Sequence, residues 1–297
     1  MDLEIVCFSY NRAALLRNLV VSAKSCCPCA RVTIFDDCSE DAETNRIIDA
    51  LEGDGVSVIR QDKKFKSSHG GLHANMRTFF EHYAKTEYVM FLQDDTQVIR
   101  SLEDSDMDCI RTFFEDFPDA GFLYPMFSRV KNSLAATPRK LSDGSGVWFR
   151  LDAHKYRGFS AICIFKPARL IDAGFCFGES EIETSELASK AFGAMAEMAM
   201  PIAAFMPAPY TARFRKDTIV HKIWGRKNTG CFPINYLDRP EVQRMRALFP
   251  YEKPLVPDFL VAPSYKAGHP WPVFRMQRAS RIWRWLDRAE LRVRRLW

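Results

Sequence analysis

The strongest constraint on the fold is a regular alternation of short apolar runs with helix-like segments over the first hundred residues. The apolar runs are "LEIVCFSY", "ARVTIFDD", "VSVIRQ" and "EYVMFLQDD", and they are rich in β-branched and aromatic residues. Between them lie "AALLRNLVVSAK", "SEDAETNRIIDAL" and "SSHGGLHANMRTFFEHYAK", which read as helices from their apolar spacing, from a Ser/Asp cap, or after a glycine loop. This alternation predicts an α/β fold with a single, mostly parallel central sheet and helices on both faces.

Polar side chains follow three of the four predicted strands, at the point where each strand ends. In open α/β sheets, ligands bind outside the carboxyl ends of the strands, so we expect these side chains to lie together at one site. A single acid after a strand is usually the N-cap of the next helix, but three converging strand ends favour a binding site. The residues are Ser9, Tyr10, Asn11, Arg12, Asp36, Asp37, Asp94 and Asp95.

The composition is that of a soluble globular protein. Hydrophobic residues make up 47% and charged residues 27% of the 297 residues, and no run approaches the ~20 apolar residues that a membrane span needs. The opening "MDLEIVCFSYNR" lacks the features of a secretory signal, which predicts a cytoplasmic location. Nine cysteines in such a chain predict reduced thiols, and the C-x-x-C in "SCCPCA" has no second ligand pair nearby for zinc.

The strand-end acids suggest two kinds of chemistry. Asp94 and Asp95 offer hard oxygen ligands for Mg²⁺ or Mn²⁺, and such a metal can bridge a diphosphate and absorb negative charge as it leaves. Asp36 and Asp37 can accept hydrogen bonds from a ribose or a base, as acids after a strand do in nucleotide-binding folds. They can equally cap the helix that begins in "SEDAETNRIIDAL", and the sequence leaves both roles open.

Four motifs, in the right order, resemble those of the family 2 glycosyltransferases, which have the nucleotide-diphospho-sugar transferase fold (type A). "IVCFSYNRAALLRNLVVSA" is similar to the family's opening strand, "TYNR" turn and first helix, and "VTIFDDCSED" is similar to its "VVDDGSTD". "SSHGGLHANMRTFFEH" resembles the loop written N-x-G-x-x-A-A-R-N, and "EYVMFLQDD" occupies the place of the D-x-D motif. The motifs span roughly the first 100 residues, and a looser resemblance continues to about residue 230.

The resemblance implies a donor-binding site at the strand ends. Ser9 and Asp37 match positions that contact the nucleotide base in the family, and Tyr10 and Arg12 lie beside them. In the glycine loop, the family's arginine falls one residue before Arg77, so the basic side chain is displaced by one position. We expect Arg77 to contact the donor phosphates despite this displacement.

The resemblance also implies Mn²⁺ or Mg²⁺ as the cofactor. Asp95 matches the direct metal ligand of the D-x-D motif, and Asp94 matches the acid that faces ribose or metal. Gln93 stands where many members carry an acid, but two acids remain. His221, in "TIVHKIWGRKNTG", stands where related enzymes often place a third metal or diphosphate ligand, although a lone histidine can equally be structural. His73 is a further candidate for a phosphate contact.

A catalytic base is implied in "GFCFGESEIETSELASKAF", which resembles the family segment that holds it. The usual base position falls on Thr184, a poor base, and Glu183 and Glu181 lie close by. An inverting transfer needs a carboxylate that takes the proton of the acceptor hydroxyl while the oxygen attacks the anomeric carbon. We expect Glu183, and then Glu181, to serve as the base. The alternative is that both acids only form the capped, solvated first turn of a helix.

The chain is predicted to have three parts. These are a glycosyltransferase domain at 1–230, with a nucleotide-binding half at 1–100 and an acceptor half at 101–230, a proline-rich extension at 231–270, and a basic amphipathic helix at 271–297. Eight of the sixteen prolines lie between Phe232 and Pro272, which predicts irregular, extended chain there.

The last segment carries the basic character of the chain. Residues 271–297 have a charge of +6, which leaves the other 270 residues at −1. In "RASRIWRWLDRAELRVRRLW", apolar residues recur at helical spacing among arginines and tryptophans, which is typical of helices that lie on anionic membranes. The helix can equally pack on the domain with its arginines in solvent. We expect no nucleic-acid binding, because no basic patch or aromatic platform accompanies it in the body.

These features imply an inverting, metal-dependent glycosyltransferase of the hexosyltransferase type. The expected partners are a nucleotide-diphosphate sugar donor and a glycan or lipid-linked acceptor, with a role in bacterial surface polysaccharide synthesis and peripheral contact with the inner face of the membrane. A nucleotidyltransferase is disfavoured, because "SYNRAALL" lacks a glycine-rich basic loop. The alternative is a catalytically degenerate nucleotide-sugar-binding or membrane-associated interaction protein of the same fold, because threonine stands at the base position.

Overall fold

A computed structural model of the chain describes residues 2–61, 71–127, 136–150, 159–207, 219, 230–255 and 281–293. The alternation predicted for the first hundred residues is present. Its strands are β1 (Leu3–Ser9), β2 (Arg31–Asp36), β3 (Ser57–Arg60) and β4 (Tyr88–Gln93), and its helices are α1 (Ala13–Cys26), α2 (Ala42–Gly53) and α3 (Leu72–His82).

The second half of the molecule has shorter elements. Its strands are β5 (Thr96–Val98), β6 (Ala120–Tyr124), β7 (Ala136–Lys140), β8 (Gly146–Arg150), β9 (Cys163–Phe165), β10 (Ala194–Met198) and β11 (Ala203–Phe205). Its helices are α4 (Asp104–Asp116), α5 (Pro167–Asp172), α6 (Glu181–Ala191), α7 (Arg239–Arg246) and α8 (Arg281–Val293).

Nine strands form one sheet in the order β3-β2-β1-β4-β9-β6-β10-β8-β7. The strands of the first hundred residues that belong to this sheet, β3, β2, β1 and β4, are mutually parallel. Strand β9 runs antiparallel between β4 and β6, and the far edge is an antiparallel β10-β8-β7 unit. The sheet is therefore mixed but parallel where the sequence places the donor, as predicted. Strands β5 and β11 form a separate two-stranded sheet.

Helices cover both faces of the sheet, so the central strands are buried on each side and read as continuous apolar runs. Alternate residues of β1 enter different cores. Ile5 and Cys7 pack with residues of α1, α2 and α4, whereas Val6 and Phe8 enter a second core rich in phenylalanine that includes residues of α3 and α6. The two apolar cores therefore hold β1 from both faces of the sheet.

The prediction of irregular chain after residue 230 was wrong for part of that segment, because α7 lies within it. Asp238 caps this helix through a bond from Glu241 N–H, and Pro240 occupies the first turn, where a missing N–H costs nothing. Val242 and Met245 are buried in a third apolar cluster that includes Ile99. Some of the prolines therefore begin or follow packed elements of the domain, while residues 256–270 lie outside the described part of the chain.

All nine cysteines are free thiols, as the sequence predicted. Cys26 and Cys27 of the "SCCPCA" segment are buried, and burial raises the pKa of the Cys27 thiol to about 12, which keeps it protonated. Cys29 is exposed. Among the helices within the described ranges, none is both long and apolar enough to cross a bilayer.

Candidate functional site

The carboxyl ends of β1, β2 and β4 lie level with one another, so the polar residues that follow them are neighbours. Ser9, the last residue of β1, is paired with Asp36 of β2. The backbone hydrogen bonds between neighbouring strands continue past the strand ends. Asp37 N–H donates to the Ser9 carbonyl (2.9 Å), and Asp94 N–H donates to the Phe8 carbonyl (3.1 Å). The β1 end is therefore flanked by the Asp37 segment on one side and the Asp94 segment on the other.

Arg12 lies against the two adjacent acids. Its Nη1 is 2.7 Å from Asp94 Oδ1 and 3.7 Å from Asp95 Oδ2, and Tyr10 N–H donates to Asp94 Oδ2 (3.5 Å). Burial raises the pKa of Asp94 to about 6; the guanidinium of Arg12 opposes this shift and the carboxylate of Asp95 adds to it. Arg12 therefore only partly offsets the buried carboxylate of Asp94 and the partly buried carboxylate of Asp95, and a divalent cation would stabilise the pair further.

Two buried oxygens at this edge make no hydrogen bond. Ser9 Oγ and Asp95 Oδ1 have no partner within the part of the chain that the structure describes. Leaving a buried polar atom unpaired costs roughly 1–3 kcal/mol, so such atoms are commonly satisfied by a ligand or ion. A carboxylate oxygen without a partner beside a second carboxylate fits a hard divalent cation. No group of three or more His, Cys, Asp or Glu gathers among the described residues, and His221 lies outside them.

Asp36 organises the loop after β2 rather than capping the next helix. Its carboxylate accepts bonds from Ser39 N–H (2.8 Å) and from Ser39 Oγ–H (2.6 Å). The N-cap of α2 is Asp41, which accepts from Thr44 N–H (2.8 Å). The capping role that the sequence left open for Asp36 and Asp37 is therefore performed by a different residue.

Asn11 joins the loops that follow β1 and β2. Its Oδ1 accepts bonds from the backbone N–H groups of Glu40 (2.8 Å) and Asp41 (3.0 Å), and its own N–H donates to Ser39 Oγ (2.9 Å). Asn11 has φ of 50°, in the left-handed region that asparagine tolerates better than most residues. The residue was visible in the "SYNR" turn, but its bridging role depends on contacts about 30 positions away.

Asp37 holds the start of α3 through a glycine. Gly71 N–H donates to Asp37 Oδ2 (3.0 Å), and a Cβ added at Gly71 would lie 1.8 Å from Asp37 Oδ1. Only glycine permits this approach. The "HGG" of the loop motif thus places the N-terminus of α3 directly on an acid of the strand ends.

We call Ser9, Tyr10, Arg12, Asp36, Asp37, Asp94 and Asp95 the strand-end cluster. The structure brings together all of these predicted residues at one sheet edge. Asn11, which was expected at the same strand end, lies beside them, and Gly71 is a neighbouring position with no predicted role.

Arg77, on α3, contacts the segment that precedes α6. Its Nε donates to the Phe177 carbonyl (2.8 Å), and its Nη2 pairs with Glu179 Oε1 (2.8 Å). This side chain is 30% exposed, so the ion pair contributes little to stability, but it ties α3 to the approach of α6.

The first turn of α6 carries the residues expected to supply the base. Ser180 is the N-cap and accepts from Glu183 N–H (3.2 Å), while Glu183 Oε2 accepts from Glu179 N–H (2.6 Å). The Glu183 carboxylate therefore accepts a bond from a backbone donor at the helix start. This is the capping role that the sequence offers as the alternative to a base. Glu181 is exposed on the same turn.

Thr184, at the motif's base position, is fully buried and contacts a histidine. Its hydroxyl accepts from Gly178 N–H (3.0 Å) and lies 3.4 Å from His73 Nδ1. His73 was predicted only as a phosphate contact, because nothing in the sequence pairs residues 111 positions apart. We call His73, Arg77, Gly178, Glu179, Glu183 and Thr184 the helix-end cluster.

The paired acids and the buried serine lie at the parallel edge of a mixed sheet, within the first hundred residues of the chain. Residues 4–104 match the model of the family described as glycosyl transferase family 2. The matched segment contains every residue of the strand-end cluster.

One solved structure supports this fold, and two others align with lower TM-scores. Residues 1–349 of S. aureus TarS, in complex with UDP-GlcNAc, are 13% identical, with 84% of this chain and 71% of that chain covered and a TM-score of 0.51. A longer S. aureus TarS chain is 15% identical over 85% of this chain (TM-score 0.48), which spans 44% of that length. The mannosyltransferase PcManGT from Pyrobaculum calidifontis, with GDP-Man and Mn²⁺, is 15% identical over 83% of this chain and 68% of that one (TM-score 0.44). No curated protein matches.

Proposed function

We propose that the protein is an inverting, metal-dependent glycosyltransferase that moves a sugar from a nucleotide-diphosphate donor to a hydroxyl of a glycan or lipid-linked acceptor. The observation that carries the proposal is the strand-end cluster, in which the buried, unpaired oxygens of Ser9 and Asp95 lie beside paired acids. The family's chemistry and the UDP-GlcNAc bound to TarS support a nucleotide sugar as the donor.

In this proposal the nucleoside lies against the ends of β1 and β2. Ser9 Oγ, Tyr10 and the Asp36–Asp37 segment offer hydrogen-bonding groups to the base and ribose, because carboxylate oxygens accept bonds from ribose hydroxyls in folds of this kind. Arg77, a residue of α3, is the proposed contact to the donor phosphates.

The diphosphate lies over Asp94 and Asp95. Mn²⁺ or Mg²⁺ held by these acids, with His221 as a proposed third ligand, would supply the charge neutralisation that a departing nucleoside diphosphate needs. Asp95 is the first ligand in this proposal, because its Oδ1 has no partner among the described residues, while Asp94 already pairs with Arg12. Arg12 contributes a fixed positive charge at the same place.

The acceptor hydroxyl needs a group that takes its proton. The candidates for this base are Glu183 first and Glu181 second. Both lie on the first turn of the helix whose sequence resembles the family segment that holds the base. The Glu183 carboxylate already accepts the Glu179 N–H bond, so for this residue the base role competes with the role of a helix cap.

The exposed side chains of the terminal helix, α8, favour an acceptor that is bound to a membrane. The proposed role is in bacterial surface polysaccharide synthesis. Glu290 Oε2 accepts the Ile219 N–H bond (2.7 Å), so an acidic position of α8 is turned toward another part of the chain. Four apolar side chains of the same helix are exposed, namely Ile282, Trp285, Leu286 and Val293. Arg288 and Arg292 are exposed beside them, and this combination suits the anionic inner face of a membrane.

Incubation with a panel of nucleotide sugars and Mn²⁺ tests the proposed reaction. We expect release of one nucleoside diphosphate, and loss of that release when EDTA removes the metal. A panel in which no nucleotide sugar is bound or turned over contradicts the proposal.

Vesicle sedimentation tests the membrane contact. Truncation after Ser280 should release the protein from vesicles that contain phosphatidylglycerol, whereas neutral phosphatidylcholine vesicles should retain neither form. Equal retention of both forms on anionic vesicles would favour a helix that only packs on the domain.

A further inference from the structure

The helix-end cluster has a histidine in contact with the position where the family motif expects a carboxylate. Thr184 occupies that position, and a threonine hydroxyl does not accept a proton near neutral pH. The titratable side chain in contact with it is His73, whose Nδ1 lies 3.4 Å from Thr184 Oγ1. Imidazole is the side chain that most often serves as a general base.

We propose that His73, in place of Glu183 and Glu181, is the catalytic base of the sugar transfer, with Thr184 holding its ring in place; this inference rests on the proposed function. The hydroxyl of Thr184 already accepts a bond from Gly178 N–H and has a second lone pair for His73 Nδ1–H. A proton on Nδ1 leaves Nε2 with its lone pair, because the bond made by one ring nitrogen sets the tautomer of the other.

The sugar transfer forms one bond, breaks one bond and moves one proton. The acceptor oxygen forms a bond to the anomeric carbon, while the bond from that carbon to the diphosphate oxygen breaks. The electron pair of the broken bond leaves with the nucleoside diphosphate. The hydroxyl proton passes to His73 Nε2, and the resulting imidazolium returns it to solvent after the product leaves.

The position of His73 joins the two halves of the site. The residue lies on the first turn of α3, two positions after Gly71, which is bonded to Asp37 of the strand-end cluster. On its other side it meets the first turn of α6 at Thr184. His73 therefore lies between the proposed donor contacts and the helix that carries the family's base position, where the acceptor hydroxyl has to approach the sugar.

The surroundings of His73 suit a base. Burial lowers the pKa of the imidazole, which keeps it neutral and able to accept a proton at pH 7. The carboxylates of Glu179 and Glu183 act in the opposite direction and stabilise the imidazolium once it forms, while Arg77 pairs with Glu179 at the same place.

The test compares His73→Gln with His82→Gln, because His82 is an exposed histidine at the end of the same helix. The assay follows UDP release from UDP-GlcNAc and GDP release from GDP-mannose, with Mn²⁺ and water as the acceptor. We expect His73→Gln to lose about 10²–10⁴-fold in kcat and His82→Gln to match the wild type. Stabilisation by UDP or GDP with Mn²⁺ in a thermal melt should be the same in all three proteins, which excludes misfolding and lost donor binding.

Glu183→Gln and Glu181→Gln separate the histidine from the acids. If His73 is the base, each of these variants should lose less kcat than His73→Gln does, whereas an acid that took the proton itself should cost about 10²–10⁴-fold when it is replaced. In Glu183→Gln, the acid limb of the pH–rate profile should move to lower pH, because a carboxylate that raises the pKa of His73 is gone. Because burial lowers the pKa of His73, that limb should lie at a lower pH than is usual for histidine.

Each result decides the assignment. A His73→Gln enzyme as active as the wild type overturns it, and so does a loss in Glu183→Gln or Glu181→Gln as large as that in His73→Gln. A wild-type protein that binds and turns over no nucleotide sugar contradicts the proposed function itself, and the assignment of His73 fails with it. Turnover by the wild type with an active His73→Gln contradicts only the assignment.

Discussion

The strand-end cluster and the helix-end cluster are held in place by different means. The first sits on the ends of three parallel strands, and backbone bonds from Asp37 and Asp94 fix it to β1. The second sits on the first turns of two helices, and side chains such as Arg77 and Thr184 hold it together. At a sheet edge, the backbone fixes the positions of the residues. At the contact between helix ends, one side chain can be replaced by another while the backbone stays similar.

This difference explains where the family motifs hold and where they depart. At the sheet edge, the acids needed for a diphosphate site are present in the expected order. At the helix ends, the base position holds a buried threonine, and the neighbouring histidine and glutamates surround it with other titratable groups. Proton transfer can be reassigned among such neighbours, whereas two carboxylates for a metal cannot be replaced so easily.

The largest effect that separates the clusters is expected from Asp95→Ala. Removing the carboxylate with the unpaired buried oxygen should lower kcat by about 10³-fold or more, because stabilisation of the leaving diphosphate is lost. Release of the nucleoside diphosphate from a nucleotide sugar measures this. Asp108→Ala, at an acid about half exposed on α4, is the matched control and should keep wild-type turnover.

Gly71→Ala should disturb the junction between the clusters. The new Cβ would lie within bonding distance of the Asp37 carboxylate, so either the acid or the start of α3 has to move. We expect a loss of about 3 kcal/mol, or roughly 5–10 °C in melting temperature, together with weaker binding of UDP or GDP. Gly53→Ala is the control, because a Cβ at this end of α2 meets nothing within 4 Å, and it should be neutral or slightly stabilising. Equal melting temperatures for both variants would contradict the close contact between Gly71 and Asp37.

The burial of the acidic pair gives a pH-dependent difference between Asp94→Asn and the wild type. The pKa of Asp94 is raised in the folded state, so its ionisation destabilises the fold as the pH rises from about 4 through about 6. Over that range the free energy of unfolding of the variant should gain roughly 1–3 kcal/mol relative to the wild type. Urea denaturation at pH 4, 5, 6 and 7 measures the change, and a difference that does not vary with pH would show that Asp94 is not strained by burial.

The smallest effect is expected for the partly exposed ion pair of the helix-end cluster. Glu179→Gln removes the partner of Arg77, and exposed pairs contribute about 0.2–1 kcal/mol, so the melting temperature should change by no more than about 2 °C. A large loss of stability would mean that the helix-end cluster is held as firmly as the strand ends.

The sequence alone predicted the fold and the strand-end cluster because both depend on local pattern. Apolar runs mark β1 to β4, and the residue after each strand is placed by the strand itself. The contact between His73 and Thr184 joins positions 111 apart and has no local signal. The same is true of Arg100, which is fully buried and bonded to Asp106 and to the Pro201 carbonyl. Tertiary packing, which no single segment encodes, decides such contacts.

Proline content misled the prediction for the segment after residue 230. The prolines predict extended chain, but Pro240 lies in the first turn of α7, and Val242 and Met245 of that helix are buried. Apolar residues three positions apart after an Asp-Arg-Pro sequence are themselves a helix signal, and here that signal outweighs the composition of the segment.

The central claim, that the strand-end cluster binds a nucleoside diphosphate with a divalent metal, is tested most directly by the binding of UDP and GDP. Isothermal titration in Mn²⁺ and again in EDTA, on the wild type and on Asp95→Ala, separates the nucleotide from the metal. The account predicts binding of at least one nucleoside diphosphate by the wild type in Mn²⁺, and loss of most of that affinity in EDTA or in the variant. Equal affinity in all three conditions, or no binding in any, would contradict it.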